Sequence, residues 1–252
     1  MIGIVGGVGP FAGIDLFKKI TEQTKAGRDQ EHLPVILFSF PGMIEDRTAY
    51  INGEVTENPG IAIAKICIEL SKAGATIAGI PCSTAHAPEI FNCILNELTR
   101  SECKLKIVNM IDETIKYISQ ILPHGSLVGI LTTTGAYKQK VYYNPLSEAG
   151  YVPVTPDEDV ISELVHNSVY HPSYGIKTQG GKITGKAKKQ LYKSMDIISR
   201  MGAQSIILGC SEIPLAIHVK EYKGMRLIDP TSVLARAMIE EYEKSNTIPE
   251  NS

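Results

Sequence analysis

The sequence predicts an α/β protein of two pseudo-symmetric halves, each a short, mostly parallel sheet flanked by helices, with the functional site in the cleft between them. Three internal echoes carry this expectation. Gly74-Ala-Thr-Ile-Ala-Gly-Ile-Pro-Cys82-Ser-Thr84 is matched by Gly202-Ala-Gln-Ser-Ile-Ile-Leu-Gly-Cys210-Ser-Glu212. Ile2-Gly-Ile-Val-Gly-Gly-Val-Gly9 is matched by Val128-Gly-Ile-Leu-Thr-Thr-Thr-Gly135, and Lys106-Ile-Val-Asn109 by Arg226-Leu-Ile-Asp229. The pairs fall in the same order at similar offsets, as a duplicated unit would place them. The expected partition is residues 1–110 with 218–252 in the first half and residues 111–217 in the second.

Bulk properties narrow the class. The 252 residues are 43% hydrophobic and 21% charged, as in an ordinary soluble globular protein. A net charge of -2 argues against nucleic acid or an anionic membrane as the main partner. Apolar runs fall well short of the ~20 residues a membrane span needs. The chain opens directly on a strand pattern with no basic region before it, so no secretory signal is expected. Five cysteines at irregular spacing do not form a disulfide framework. Reduced thiols and a cytoplasmic location are expected.

Residues 2–5 read as a buried strand and residues 6–10 as its turn, with Pro10 placed to open a helix over residues 11–26. Gly7, Gly9 and Ala12 fit the dinucleotide pattern G-x-G-x-x-A. That pattern requires a carboxylate at the end of the next strand. The next strand, residues 34–40, closes on Ser39-Phe40 and runs into Pro41. No nucleotide cofactor is therefore expected, and Gly7 is read as letting a small ligand approach the backbone. Arg47 follows in a polar segment after this strand, where cleft loops collect. Helices are expected over residues 61–73 and 87–99. Cys67, Cys93 and Cys103 belong to no motif and read as structural.

The two echoing runs are apolar, bounded by glycine or proline, and of strand length, as in strands buried on both faces. Cys82 and Cys210 therefore sit just past the C-terminal ends of central strands, where open α/β sheets place ligands. Ser83-Thr84 and Ser211-Glu212 follow, and each pair can start a helix whose N–H groups point back at the thiol. Such a setting lowers a thiol pKa and offers an anion site. Two matched thiols suggest two proton carriers on opposite walls. His86, four residues after Cys82, reads as a group holding the loop, with direct proton transfer as the other reading. No Cys-x-x-Cys or His-x-x-x-His spacing is present, so no metal is expected.

A helix over residues 110–122 leads to the strand at residues 127–131. The hydroxyls of Thr132-Thr-Thr134 suit either an anion or a helix cap. A short strand at 151–153 and a helix over 157–168 precede a polar, glycine-rich stretch, residues 170–185. That stretch reads as a mobile loop closing over a site, with Lys177 at its middle. A helix over 187–201, a strand at 225–228 and a helix over 231–244 complete the pattern, with fraying expected from residue 249.

Gly6-Gly-Val-Gly-Pro10, Asp46-Arg-Thr-Ala-Tyr50, Pro81-Cys-Ser-Thr-Ala-His86 and Leu208-Gly-Cys-Ser-Glu-Ile-Pro-Leu215 resemble the aspartate/glutamate racemase family over nearly the whole chain. The resemblance implies two pseudo-symmetric halves, no cofactor, a homodimer, and Cys82 and Cys210 as the acid/base pair. It implies that Thr84 and Ser211 contact substrate beside the sulfurs and that Gly7 shapes the cleft floor; Ser83 and Thr132 are further candidate substrate contacts, with Glu212 and His86 as candidate supporting residues. Arg47 and Lys177 match the charged residues that hold substrate carboxylates, which favours aspartate or glutamate, with a broad-specificity amino-acid racemase as the alternative. The family usually carries asparagine where this chain has Ser83, a shorter side chain with one donor. Relatives with one cysteine decarboxylate or isomerise, and a binding protein that lost turnover is a further reading on the same scaffold.

Overall fold

The computed structural model describes residues 1–246, so the fraying expected from residue 249 lies outside the described residues. The first half runs β1 (Ile2–Gly6), α1 (Pro10–Gln23), β2 (Val35–Ser39), α2 (Arg47–Ile51), α3 (Pro59–Lys72), β3 (Ile77–Gly79), α4 (Pro88–Arg100), β4 (Lys106–Val108) and α5 (Met110–Ile121). Its sheet has the order β2-β1-β3-β4, with every pairing parallel: Ile2 faces Val35 and Ile77, and Ile77 faces Lys106. All of β1 is buried because helices cover the sheet, which is why it reads as a continuous apolar run.

The second half runs β5 (Leu127–Leu131), α6 (Thr134–Lys138), α7 (Tyr143–Glu148), β6 (Val152–Val154), α8 (Glu158–Val160), α9 (Asn167–Tyr170), α10 (Gly185–Arg200), β7 (Ser205–Leu208), α11 (Ile213–Ala216), β8 (Glu221–Tyr222) and β9 (Met225–Ile228), before the terminal helix α12 (Pro230–Asn246). A π-helical turn, Ile161–His166, joins α8 to α9 where the sequence predicts one regular helix. The sheet order is β6-β5-β7-β9-β8, parallel except for the β8–β9 hairpin. Thus β5, β6, β7 and β9 repeat the places of β1, β2, β3 and β4. The duplication extends to helix caps. Asn109 accepts from the Ile111 and Asp112 amides, and Asp229 from those of Thr231 and Ser232.

The expected boundary at residue 218 is corrected. β8 and β9 extend the second sheet, and only α12 returns, packing against α1, α5 and β3. Lys19 of α1 fixes that return by bridging Asp15 to Asp229, the latter at 2.6 Å. The larger apolar core also crosses the partition: Val128, Ile130, Tyr142 and Ile207 join the buried residues of the first half. A second core, built on Ile161, Val165, Leu191 and Ile206, fills the far face of the second sheet. The halves therefore share packing rather than meeting as separate globules.

Candidate active site

Cys82 follows β3 and is 7% exposed; Cys210 follows β7 and is 9% exposed. Both sulfurs lie at the C-terminal ends of equivalent strands, as the echoing runs require. Ser83–His86 forms a single 3₁₀ turn with Cys82 at its cap position, and Ser211 and Glu212 sit in a turn before the four-residue α11. Neither cysteine stands directly at the start of a long helix, since the 3₁₀ turn separates Cys82 from α4, and neither short helix has a side-chain cap.

The expected lowering of thiol pKa by helix starts is overturned at Cys210. Burial raises its pKa well above the usual thiol value, and the Glu212 carboxylate adds to this, against a lesser opposing effect of Lys177. The Cys210 thiol donates to Glu212 Oε2 at 3.1 Å, and Ser211 Oγ donates to the same oxygen at 3.2 Å. Lys177 Nζ lies 3.5 Å from the other oxygen, Oε1.

On the first wall, Arg47 is 6% exposed at the start of α2. Its Nη1 donates to Glu45 O at 3.1 Å and its Nη2 to Val8 O at 2.8 Å, while its Nε has no hydrogen-bond partner among the described residues. Burial alone would lower the Arg47 pKa. Cys82, Tyr170 and Asp46 outweigh it and hold the guanidinium charged. Asp46 caps α2 by accepting from the Thr48 and Ala49 amides, and these bonds with Arg47 and Lys177 keep its pKa low despite burial. Thr84 and Thr48 crowd the position of Gly135, where a Cβ would stand 2.6 Å from Thr48 Oγ1. Glycine there lets α6 of the second half approach α2 of the first.

His86 ties the Cys82 turn to the start of α5 and to Phe91 of α4. Its Nδ1 bonds Cys82 O at 2.9 Å, its Nε2 accepts from the Met110 amide at 3.4 Å, and its ring stacks on Phe91. Burial pushes its pKa down to about 4. Both nitrogens are occupied by backbone, which leaves the supporting reading and removes direct proton transfer.

Other positions depart from expectation. Gly7 adopts φ +84°, but a Cβ there would stand 2.8 Å from Pro41 N, so chain packing explains the glycine. The turn reaches the site through Val8 O and through Gly9, where a Cβ would collide with Glu212 Oε1. Thr132 is buried against Gly209, and Thr133 sits at the α6 cap position without a capping bond, so the threonine-cap reading is unsupported. The Lys177 segment is docked rather than loose. Tyr174 and Ile176 are buried, and the Ile176 and Lys177 amides bond Ser168 O and Val169 O at 2.9 and 3.0 Å.

Two tyrosines that sequence reasoning missed tie the walls together. Tyr142 is buried, shares a hydrogen bond of 3.0 Å with Ser83 Oγ, and lies within electrostatic reach of both Cys82 and Cys210. Tyr170 donates to Asp46 Oδ2 at 3.5 Å and accepts from Lys177 at 3.3 Å. Burial, ahead of its charged neighbours, pushes its pKa up to about 12. No local pattern announces either tyrosine, whereas the Asp46 cap is legible as Asp-x-Thr ahead of a short helix. Neither cysteine lines the cavities of about 1090 and 450 Å³, although Thr132 and Tyr142 line the smaller one.

The comparisons with known proteins agree with this geometry. The Asp/Glu/Hydantoin racemase family model matches residues 5–238. The chain is similar to the Picrophilus torridus aspartate racemase structure, with 25% identity, a TM-score of 0.78, and coverage of 96% of this chain and 94% of that one. It is 21% identical to the broad specificity amino-acid racemase RacX of Bacillus subtilis, over 96% of this chain and 98% of the relative. It is 25% identical to a glutamate racemase of Limosilactobacillus reuteri, over 68% of this chain but 59% of that protein. A matched family model, a shared fold and two buried strand-end thiols converge: the chain belongs to the Asp/Glu/Hydantoin racemase family, and these relatives support an enzyme that is a racemase.

Proposed function

We propose that the protein is a cofactor-independent amino-acid racemase that works on aspartate or glutamate by a two-base mechanism, with Cys82 and Cys210 exchanging the α-proton. The observation that carries this reading is Arg47. A guanidinium buried beside a cysteine, held charged, with Nε unpartnered among the described residues, is a standing donor for a substrate carboxylate.

Racemisation removes a proton from one face of the α-carbon and returns one to the other. One sulfur acts as thiolate and takes the α-proton; the opposite thiol gives its own, leaving product and the two sulfurs with exchanged protonation. The second enantiomer uses the same pair in reverse. The carbanion that develops between these transfers has charge spread onto the α-carboxylate. Arg47 Nε is offered to that charge, and each such preorganised donor is worth about 3 kcal/mol. Ser83, Thr84 and Ser211 line the walls as hydroxyl partners, and closure around them excludes water.

Incubation of the folded protein with L- and D-amino acids in D2O tests the proposal. Deuterium is expected at the α-carbon of aspartate or glutamate, together with the opposite enantiomer. A correctly folded protein that exchanges the α-proton of no amino acid overturns it.

A further inference from the structure

Glu212 is 3% exposed, and its two oxygens have different duties. Oε2 is committed to Cys210 Sγ and Ser211 Oγ, while Oε1 has Lys177 at 3.5 Å, the one ion pair of Glu212 among the described residues. Lys177 is itself largely enclosed, with 22% of its side chain exposed; its Nζ also meets the Tyr170 hydroxyl and ring, and Asp46 lies within electrostatic reach. Arg47 is close enough to oppose its charge. The site thus closes over an ammonium and a carboxylate of its own, beside a guanidinium with an unused donor.

We infer that the Lys177–Glu212 pair is a resting stand-in for the substrate, parted when a dicarboxylic amino acid enters. The substrate's side-chain carboxylate takes Lys177, its ammonium takes Glu212 Oε1, and its α-carboxylate takes Arg47. This rests on the racemase reading and adds to it a device for choosing substrate. A zwitterion with a distal carboxylate exchanges one internal pair for two external ones, so every charge remains paired. A monocarboxylic amino acid leaves Lys177 without an anion, and a dicarboxylate lacking the amine leaves Glu212 without a cation. Parting a buried pair without replacing both halves is strongly unfavourable. Selectivity then comes from the protein's own ion pair as much as from any fit to the ligand.

The test is a set of dissociation constants measured by calorimetry for L-aspartate, L-glutamate, L-alanine, succinate and glutarate. In the wild type, the better of aspartate and glutamate binds at least ~10-fold tighter than alanine and than its matching dicarboxylate. Lys177→Met abolishes the preference over alanine and keeps the preference over the dicarboxylate. Glu212→Gln does the reverse, and Lys177→Arg keeps both. The inference is overturned if the wild type lacks either preference, or if the two variants weaken all ligands by one common factor. Should a variant fail to fold, the wild-type preferences alone decide it. The outcome separates from that of the racemase reading, because α-proton exchange is scored independently: exchange without these preferences sinks only the stand-in, and the preferences without exchange sink only the catalysis.

Discussion

Cys82 and Cys210 follow equivalent strands of the duplicated unit, β3 and β7, but the charges beside the two sulfurs have opposite sign. Beside Cys82 stands a guanidinium, Arg47, and the turn that carries the sulfur is clamped by a neutral histidine. Beside Cys210 stands a carboxylate, Glu212, which accepts the thiol proton and is itself paired with Lys177. Equivalent strands give the two sulfurs equivalent backbone positions, while the side chains beside them differ. A two-base racemase can use this difference. In the proposed mechanism Glu212 keeps a proton on the Cys210 sulfur at rest, so Cys210 starts as the acid.

The largest expected effect comes from removing either sulfur. Cys82→Ser and Cys210→Ser are each expected to lower racemisation by ~10²–10⁴-fold, the range of a general acid or base, while circular dichroism and melting remain near wild type. Full activity in either variant would end the two-base reading. Glu212→Gln sharpens the contrast between the walls. Burial and Glu212 both raise the Cys210 pKa, so losing the carboxylate and releasing Lys177 both act to lower it. The pH limb belonging to Cys210 is expected to move to lower pH in rate profiles taken from each enantiomer. An unmoved limb would mean that Glu212 does not hold the Cys210 proton.

How much of this was legible in the sequence follows from what kind of signal each part leaves. Strand order and the two sulfurs were readable because duplication wrote the same pattern twice, in runs too apolar for anything but buried parallel strands. Arg47 stood in a recognisable motif, and the caps at Asn109 and Asp229 obey a local rule. Tyr142, Tyr170 and the docking of Lys177 depend on chain segments far apart in sequence meeting in space, and no local pattern encodes that. The boundary at residue 218 failed for a similar reason: Met225–Ile228 pairs with β7 through long-range hydrogen bonds. The thiol pKa at Cys210 was misjudged because the short turns after the sulfurs supply little dipole, while burial and Glu212 act directly.

A smaller effect separates the walls by acid. His86 has a folded-state pKa of about 4 against an ordinary value near 6.5, because burial penalises its charged form. The unfolded chain therefore binds more protons between those values, and stability falls as pH drops from 6.5 toward 4. The full difference is worth about 3 kcal/mol, or roughly 6–12 °C in melting temperature for a chain of this size. His166 is also lowered by burial and contributes with the same sign, so the comparison must be made between wild type and His86→Gln. The wild type is expected to lose the additional stability across this window, and the variant to show a flatter profile. Parallel profiles would place the acid sensitivity elsewhere than the Cys82 wall.

The smallest expected effect concerns the bond that joins the walls. Tyr142, at the start of α7, reaches from the second half to Ser83 in the first at 3.0 Å, with both hydroxyls buried. Removing one partner leaves the other without this hydrogen bond in a buried position, so Tyr142→Phe and Ser83→Ala are each expected to cost about 1–2 kcal/mol in chemical denaturation. Removing both leaves no orphan, so the double variant should cost less than the sum, with a coupling near ~1 kcal/mol. Additive losses would mean that the hydroxyls act independently and that the halves are held by the shared apolar core alone. Ser83→Asn puts a longer amide against the Tyr142 hydroxyl, which already bonds Ser83 Oγ. It is therefore expected to be tolerated better alongside Tyr142→Phe than alone, since the new amide and the tyrosine hydroxyl would compete for one polar position.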